Sequence, residues 1–225
     1  MRASDLVTVN KTLNPKIWNG SALRDDVDQA LHAIAEAFID FLGVDIEVRD
    51  LTVTGSNANY TWNQYSDLDL HVIVPGVPTD EERELYSAKK ALWAEEHDIT
   101  VKGLPVECYV QGQDEPHHST GVYSINKNQW LTVPSKERPK IDDRAVAAKY
   151  QALAWGIGEA LDSNDLDHLE RVKTKITQMR KSGLARAGEW STENLAFKQL
   201  RRVGLIDKMA DRIRSLQDQE LSISQ

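Results

Sequence analysis

"GSNANYTWNQYSDLDLHVIV", residues 55–74, sets a Gly-Ser pair twelve positions ahead of Asp67, with a second aspartate, Asp69, one residue further on. From Leu68 to Val74 apolar and polar residues alternate, the period of a half-buried strand. Residues two apart in a strand share a face, so Asp67 and Asp69 stand together while Leu68, Leu70, Val72 and Val74 turn towards a core. Carboxylates so close repel each other, and a hard divalent cation between them relieves the repulsion, because Mg2+ prefers carboxylate, phosphate and water oxygens. An arbitrary Asp-x-Asp is more often the solvated end of a strand, but the Gly-Ser pair alters that balance. Glycine lets the backbone come close to a ligand and serine adds a hydroxyl, so phosphate donors and metal ligands converge on one point.

Upstream, "VDIEV" (44–48) and "LTVT" (51–54) alternate in period two, with a phase break near Arg49 and Asp50, and read as a strand running into the Gly-Ser turn. Before it, Leu23, Val27, Leu31, Ile34, Phe38 and Phe41 recur at three- and four-residue steps from Ser21, with Asp25 and Asp26 in the first turn and Gly43 past the end, which predicts an amphipathic helix. Downstream, "TDEERELYSAKKALWAEE" (79–96) opens with a capping box, Thr79 to Glu82, and predicts a helix of about four turns. "ITV" (99–101) and "PVECYV" (105–110) supply two more strands. In the second, Glu107 points opposite to Val106, Cys108 and Val110, and becomes a third acid if its strand lies beside the first. Three carboxylates on adjoining strands can hold two metal ions roughly 3.5–4 Å apart, the arrangement of two-metal phosphoryl transfer. The order helix, strand, turn, strand, helix, strand predicts an α/β (α+β) fold, a small mixed sheet with covering helices.

"LTVPSKERPKIDD" (131–143), with Pro134 and Pro139, reads as a connector, which divides the chain into a catalytic domain over 1–135 and an all-α helical domain over 136–225. Helices are expected over 142–161, over 164–182 ended by Gly183, over 192–203 capped by Ser191 and closed by Gly204, and over 205–216. The net charge of -8 is unevenly spread: residues 171–225 carry twelve Lys and Arg against six Asp and Glu, the first 170 fifteen against twenty-nine. Such acidity argues against coating of nucleic acid through bulk electrostatics. The basic part still leaves a phosphate-bearing partner open, with Lys175, Arg180, Lys181, Lys198, Arg201 and Arg202 as candidates, against the plainer reading of solvated helix faces. The lone cysteine, Cys108, excludes an intramolecular disulfide and a cysteine-rich zinc site and reads as a small core residue. The sequence starts without a signal-peptide apolar region and has no run approaching the roughly 18 residues of a membrane span, so a cytoplasmic protein with no membrane partner is expected. His117 and His118 read as exposed loop residues, His71 as a strand residue under the pocket, Tyr60 and Trp62 as core or rim, and Trp155 and Trp190 as helix packing.

The stretch resembles the signature of the nucleotidyltransferase-fold superfamily that includes DNA polymerase beta, poly(A) polymerases and the small antibiotic- or toxin-type nucleotidyltransferases. In that pattern a strand ends in Gly-Ser, a short helix follows, then Asp-x-Asp on the next strand and one further acid on a later one. The resemblance implies that Gly55, Ser56 and Ser66 bind the nucleotide, Gly55 and Ser56 through its β- and γ-phosphates. It implies that Asp67 and Asp69 ligate two Mg2+ or Mn2+ ions, and that Glu107 binds the ion at the attacking oxygen and is a candidate to take its proton. The implied substrate is a nucleoside triphosphate, whose nucleoside monophosphate passes to an acceptor hydroxyl on protein, RNA or a small molecule while pyrophosphate leaves. Asn57, Asn59 and Tyr60 stand where many minimal members carry arginine and glycine, and Glu107 where aspartate is commoner, which leaves the choice of base open. The chain is also similar to a group of bacteriophage-encoded nucleotidyltransferases through "GVYSI" (121–125), Trp130 with Pro134, and "GEWSTENLAFKQLRR" (188–202); this implies a bacterial cytoplasm, that of the host if the protein is viral. Two alternatives stay open: an RNA- or tRNA-end nucleotidyltransferase, supported by the basic helical part, and a catalytically inactive nucleotide-binding module, against which the three acids weigh.

Overall fold

Strands Leu68–Val74 and Leu104–Gly112 run parallel, side by side, with Leu68 opposite Val106, Asp69 opposite Glu107 and Leu70 opposite Cys108. Parallel neighbours need a long crossover, and here it contains the capped helix of residues 79–96. The computed structural model describes residues 9–64, 66–117, 119–136 and 140–222. They fall into two compact units, the described residues of Thr8–Arg138 and those of Pro139–Gln225.

The first unit is built in the order β1 (Trp18–Asn19), β2 (Ala22–Leu23), α1 (Asp25–Leu42), β3 (Asp50–Thr54), a 3-10 turn (Ser56–Ala58), β4 (Leu68–Val74), α2 (Asp80–Glu96), β5 (Thr100–Val101), β6 (Leu104–Gly112), β7 (Val122–Ser124) and β8 (Gln129–Thr132). Six strands form one sheet in the order β5-β6-β4-β3-β7-β8, parallel only between β4 and β6. The α/β expectation is met, and the four strands outside the sequence expectation are short. "VDIEV" does not pair as expected. β4 ends at Val74, before Pro75, so the ladder stops with Asp50 opposite Ile73 and one further bond from the Arg49 N–H to the Ile73 carbonyl, and residues 44–48 pair with no strand among the described residues. β8 also takes Leu131 and Thr132 from the expected connector.

Helix α1 has Asp25, Asp26 and Asp28 in its first turn, where their charge suits the helix dipole, and a left-handed Gly43 whose N–H bonds the Asp40 carbonyl closes its C-terminal end. Its buried seam is Val27, Leu31, Ala35, Phe38 and Leu42, while Ile34 and Phe41 are half-buried and Leu23 belongs to β2. Burial of Val27, Leu31, Phe38 and Leu42 contributes about 1.5–3 kcal/mol of apolar transfer each. The capping box of α2 forms as expected, with Thr79 N–H on Glu82 Oε2 at 2.7 Å and Glu82 N–H on Thr79 Oγ1 at 3.2 Å. Trp93 of α2 meets Phe38 and Phe41 edge to face at 5.6 and 5.1 Å, closing the core that also holds Leu68, Leu70, Val72 and Cys108.

The second unit is helical: α3 (Asp143–Ser163), α4 (Leu166–Ala187), a 3-10 turn (Gly188–Trp190), α5 (Thr192–Arg202) and α6 (Leu205–Leu221). Gly183 does not end α4, which runs a turn further. It is buried, and a Cβ there would stand 2.7 Å from Glu193 Cβ and 3.0 Å from Ser191 Oγ, so glycine is required by the close approach of the α5 entry. Ser191 caps α5 by accepting from Asn194 N–H, and buried Asn194 gives its amide to the Glu189 carbonyl while accepting from Arg180 Nε at 3.1 Å. Arg180, a candidate phosphate contact by sequence, thus bonds Asn194 and lies over the Phe197 ring. Trp190 packs as expected, against the Val146, Leu195 and Ala196 cluster, whereas Trp155, expected to do the same, is 71% exposed. No helix among the described residues is long and apolar enough to cross a membrane.

Gly156 of α3 has nothing within 4 Å of a built Cβ, so there helix propensity decides, and Gly156→Ala should stabilise by about 0.5–1 kcal/mol. At Gly183 overpacking of about 1–3 kcal/mol outweighs that gain, so Gly183→Ala should destabilise. Thermal melts should therefore move in opposite directions, by about 2–4 °C per kcal/mol. A Gly183→Ala protein that melts above the parent would remove the packing account of this glycine.

Candidate active site

β3 ends at Thr54, opposite Asp69, and delivers the chain into Gly55 at φ 73° and ψ -160°, backbone that L side chains rarely adopt. A Cβ on Gly55 would collide with the Asp69 carboxylate: its built position is 2.9 Å from Asp69 Cγ and closer still to Oδ2. The glycine therefore serves both the turn and the space for an acid. Parallel pairing brings Glu107 beside Asp69, and Asp67 lies just before β4. Ligand oxygens of Asp67, Asp69 and Glu107 all come within 4.8 Å of one another, and each residue is partly accessible. Among the described residues no other cluster of three His, Cys, Asp or Glu side chains is so arranged. An all-oxygen donor set of this kind suits Mg2+ or Mn2+, so the residues present fit the implied metal.

Glu107 is held from two sides. The Tyr109 hydroxyl donates to its Oε2 at 2.6 Å, and Lys90 Nζ of α2 donates to the same oxygen at 3.0 Å while standing 3.2 Å from the Tyr109 ring centroid. Burial alone would raise the carboxyl, but the Tyr109 bond and the Lys90 charge outweigh it and hold it down at about 2. Burial first, and then the charge of Asp69, push the Tyr109 phenol above its ordinary range, so it stays a donor. His71 shares the face of Asp69 as expected, stacks on Tyr109 at 4.7 Å and bonds Thr54 Oγ1 at 3.0 Å. Burial pushes its imidazole down to about 4, so near pH 7 it is neutral and brings no charge to a phosphate. His117 lies 6.4 Å from His71 between ring centres, and His118 is outside the described residues.

The Gly-Ser turn is tied down by residues that sequence reasoning missed. Asn57, fully buried, donates to the Asp67 carbonyl at 2.7 Å, accepts from Asn14 Nδ2 at 2.7 Å, and lends its own carbonyl to Trp18 Nε1 at 2.7 Å. It pins the first acid to the turn, which is why an asparagine follows Gly-Ser here. Ser56 donates to Ser66 Oγ at 2.7 Å, and buried Ser66 also accepts from Asn63 N–H, so Ser66 fixes the hydroxyl of Ser56. Gly55 N–H donates to Ser119 Oγ at 3.1 Å, Asn59 bonds Thr120, and Gly121 packs so tightly on the Ala58 carbonyl that a Cβ has no room. The first residue of "GVYSI" thus serves the turn; Tyr123 and Ile125 join the core, and Ser124 Oγ donates to Asp50. Alternation could have flagged Tyr109, two residues from Glu107; Asn57 stands out only as a departure from the resembled pattern, and nothing in the sequence flags Lys90.

Residues 33–118 match the family model of the nucleotidyltransferase domain. The matched segment holds Gly55, Ser56, Ser66, Asp67, Asp69 and Glu107, and the chain has a nucleotidyltransferase-like α/β fold followed by a helical region. Among solved structures, the STING-associated CdnE c-di-GMP synthase from Capnocytophaga granulosa aligns over 88% of this chain and 84% of its own at 13% identity, with a TM-score of 0.23, an overlap that adds nothing to the site. No curated protein matches the sequence.

Because the space of a Cβ at Gly55 is taken by the Asp69 carboxylate, Gly55→Ala should displace that acid more than it unfolds the chain. Binding of Mn2+, followed through the paramagnetic signal of the free ion, should weaken at least about tenfold, roughly 1.4 kcal/mol, while far-UV circular dichroism is unchanged. Parental affinity in Gly55→Ala would show that the glycine serves the backbone alone.

Proposed function

We propose that the chain is a metal-dependent nucleotidyltransferase that moves a nucleoside monophosphate from a nucleoside triphosphate to an acceptor hydroxyl and releases pyrophosphate. The observation that carries this reading is the gathering of Asp67, Asp69 and Glu107 within 4.8 Å beside the Gly55 turn. Asp67 and Asp69 would hold two Mg2+ or Mn2+ ions and Glu107 would complete the set. Bound there, the ions supply charge to the phosphoryl oxygens and to the attacking and leaving oxygens. Ser56 and the Gly55 backbone approach the β- and γ-phosphates, with Ser66 fixing the serine hydroxyl from behind. A phosphate reaching the Gly55 N–H takes the place of Ser119 Oγ.

In the reaction the acceptor oxygen attacks the α-phosphorus as the bond to the bridging oxygen of the β-phosphate breaks, and pyrophosphate carries away the bonding pair. The acceptor proton goes to water. A carboxylate held at about 2 is a weak base near neutral pH, so Glu107 acts by charge and position. Most of the rate comes from electrostatic placement, as in phosphoryl transfer generally.

The test is incubation with each α-labelled NTP, Mg2+ or Mn2+ and candidate acceptors, following pyrophosphate release and the fate of the label. Asp67→Asn or Asp69→Asn should lower turnover by at least about a thousandfold, the size of losing a main charge stabiliser, and should melt no lower than the parent in chelator because a repulsion is relieved. Glu107→Gln should cut turnover with NTP affinity nearly intact. Near-normal metal-dependent turnover in either aspartate variant would sink the site assignment.

A further inference from the structure

Glu107 has a cation of the protein's own within bonding distance. Lys90 Nζ lies 3.0 Å from Glu107 Oε2, on the oxygen that also takes the Tyr109 hydroxyl, and the ammonium sits over the Tyr109 ring. The Lys90 and Glu107 side chains are 28% and 31% exposed, so water screens the pair only in part. Lysine is a compact charge on a flexible stem, able to leave one oxygen for another without backbone movement.

We propose that Lys90 is a built-in counter-ion of the acidic trio, acting through Glu107. It neutralises part of the trio's charge and holds Glu107 in place before any metal arrives, and it competes with the first divalent ion for the same charge. Lys90 is thus a positioning residue that weakens metal binding, and it keeps the metal-free site from flying apart through like-charge repulsion. This inference rests on the metal centre assigned above.

The experiment is Mn2+ titration of the nucleotide-free protein, read from the signal of free Mn2+, for the parent, Lys90→Met, Lys90→Gln and Lys90→Arg, with melting temperatures in chelator. Lys90→Met and Lys90→Gln should bind Mn2+ at least about threefold tighter than the parent, roughly 0.65 kcal/mol, and should melt lower without metal. Lys90→Arg, which keeps the charge, should stay within about twofold of the parent. A lysine that merely props the fold predicts the opposite, weaker Mn2+ binding on removal. Unchanged or weaker affinity in both neutral variants, with parental Mn2+ binding intact, overturns the role of Lys90 alone. A parent that binds no Mn2+ overturns the metal centre and this inference with it.

Discussion

Crowding of like charge is the constraint around which the first unit is organised. A parallel register sets Asp69 against Glu107, and three carboxylates end up within 4.8 Å, an arrangement that costs folding free energy unless positive charge or donors offset it. The chain supplies those partners locally, from Tyr109 two residues along the same strand and from Lys90 on the crossover helix. It also fixes the acids from the backbone side, with Asn57 on the Asp67 carbonyl and a glycine at 55 leaving room for Asp69.

That arrangement is tolerable because the sheet is divided by face. Leu68, Leu70, Val72 and Cys108 sit in one continuous core with the buried seam of α1 and with Tyr86 and Trp93 of α2. Asp69, His71, Glu107 and Tyr109, paired across β4 and β6, form the other face. Apolar burial on one side contributes the stability against which charge can be concentrated on the other. His71 belongs to this polar layer as a neutral spacer, stacked on Tyr109 and bonded to Thr54, and adds no further charge to the site.

The acids and the turn were legible in sequence because their spacing is local: period-two alternation puts Asp67 with Asp69 and turns Glu107 away from Cys108. Pairing was not. Nothing in "VDIEV" shows that its partner strand stops at Pro75, and "GVYSI" reads as a motif without revealing that Gly121 is pressed on Ala58. Gly183 looks like a helix end because glycine usually is one, and the reason it is not lies ten residues away at Glu193. Arg180 reads as a surface charge until Asn194 and Phe197 are seen beside it. In each case local pattern held and a contact distant in sequence decided.

One helix both joins the two acid-bearing strands and carries the lysine between them. Its start is fixed by the Thr79 capping box, and Lys90 follows eleven residues later at a set angle around the axis. Each residue of an α-helix turns about 100°. A single insertion or deletion between the cap and Lys90 would swing the ammonium away from Glu107 and leave the strand register intact, whereas a change of length beyond Glu96 would be absorbed in the connection to β5. The two ends of this helix therefore differ in how much change of length the chain can accept, and the stringent end is the one nearer β4.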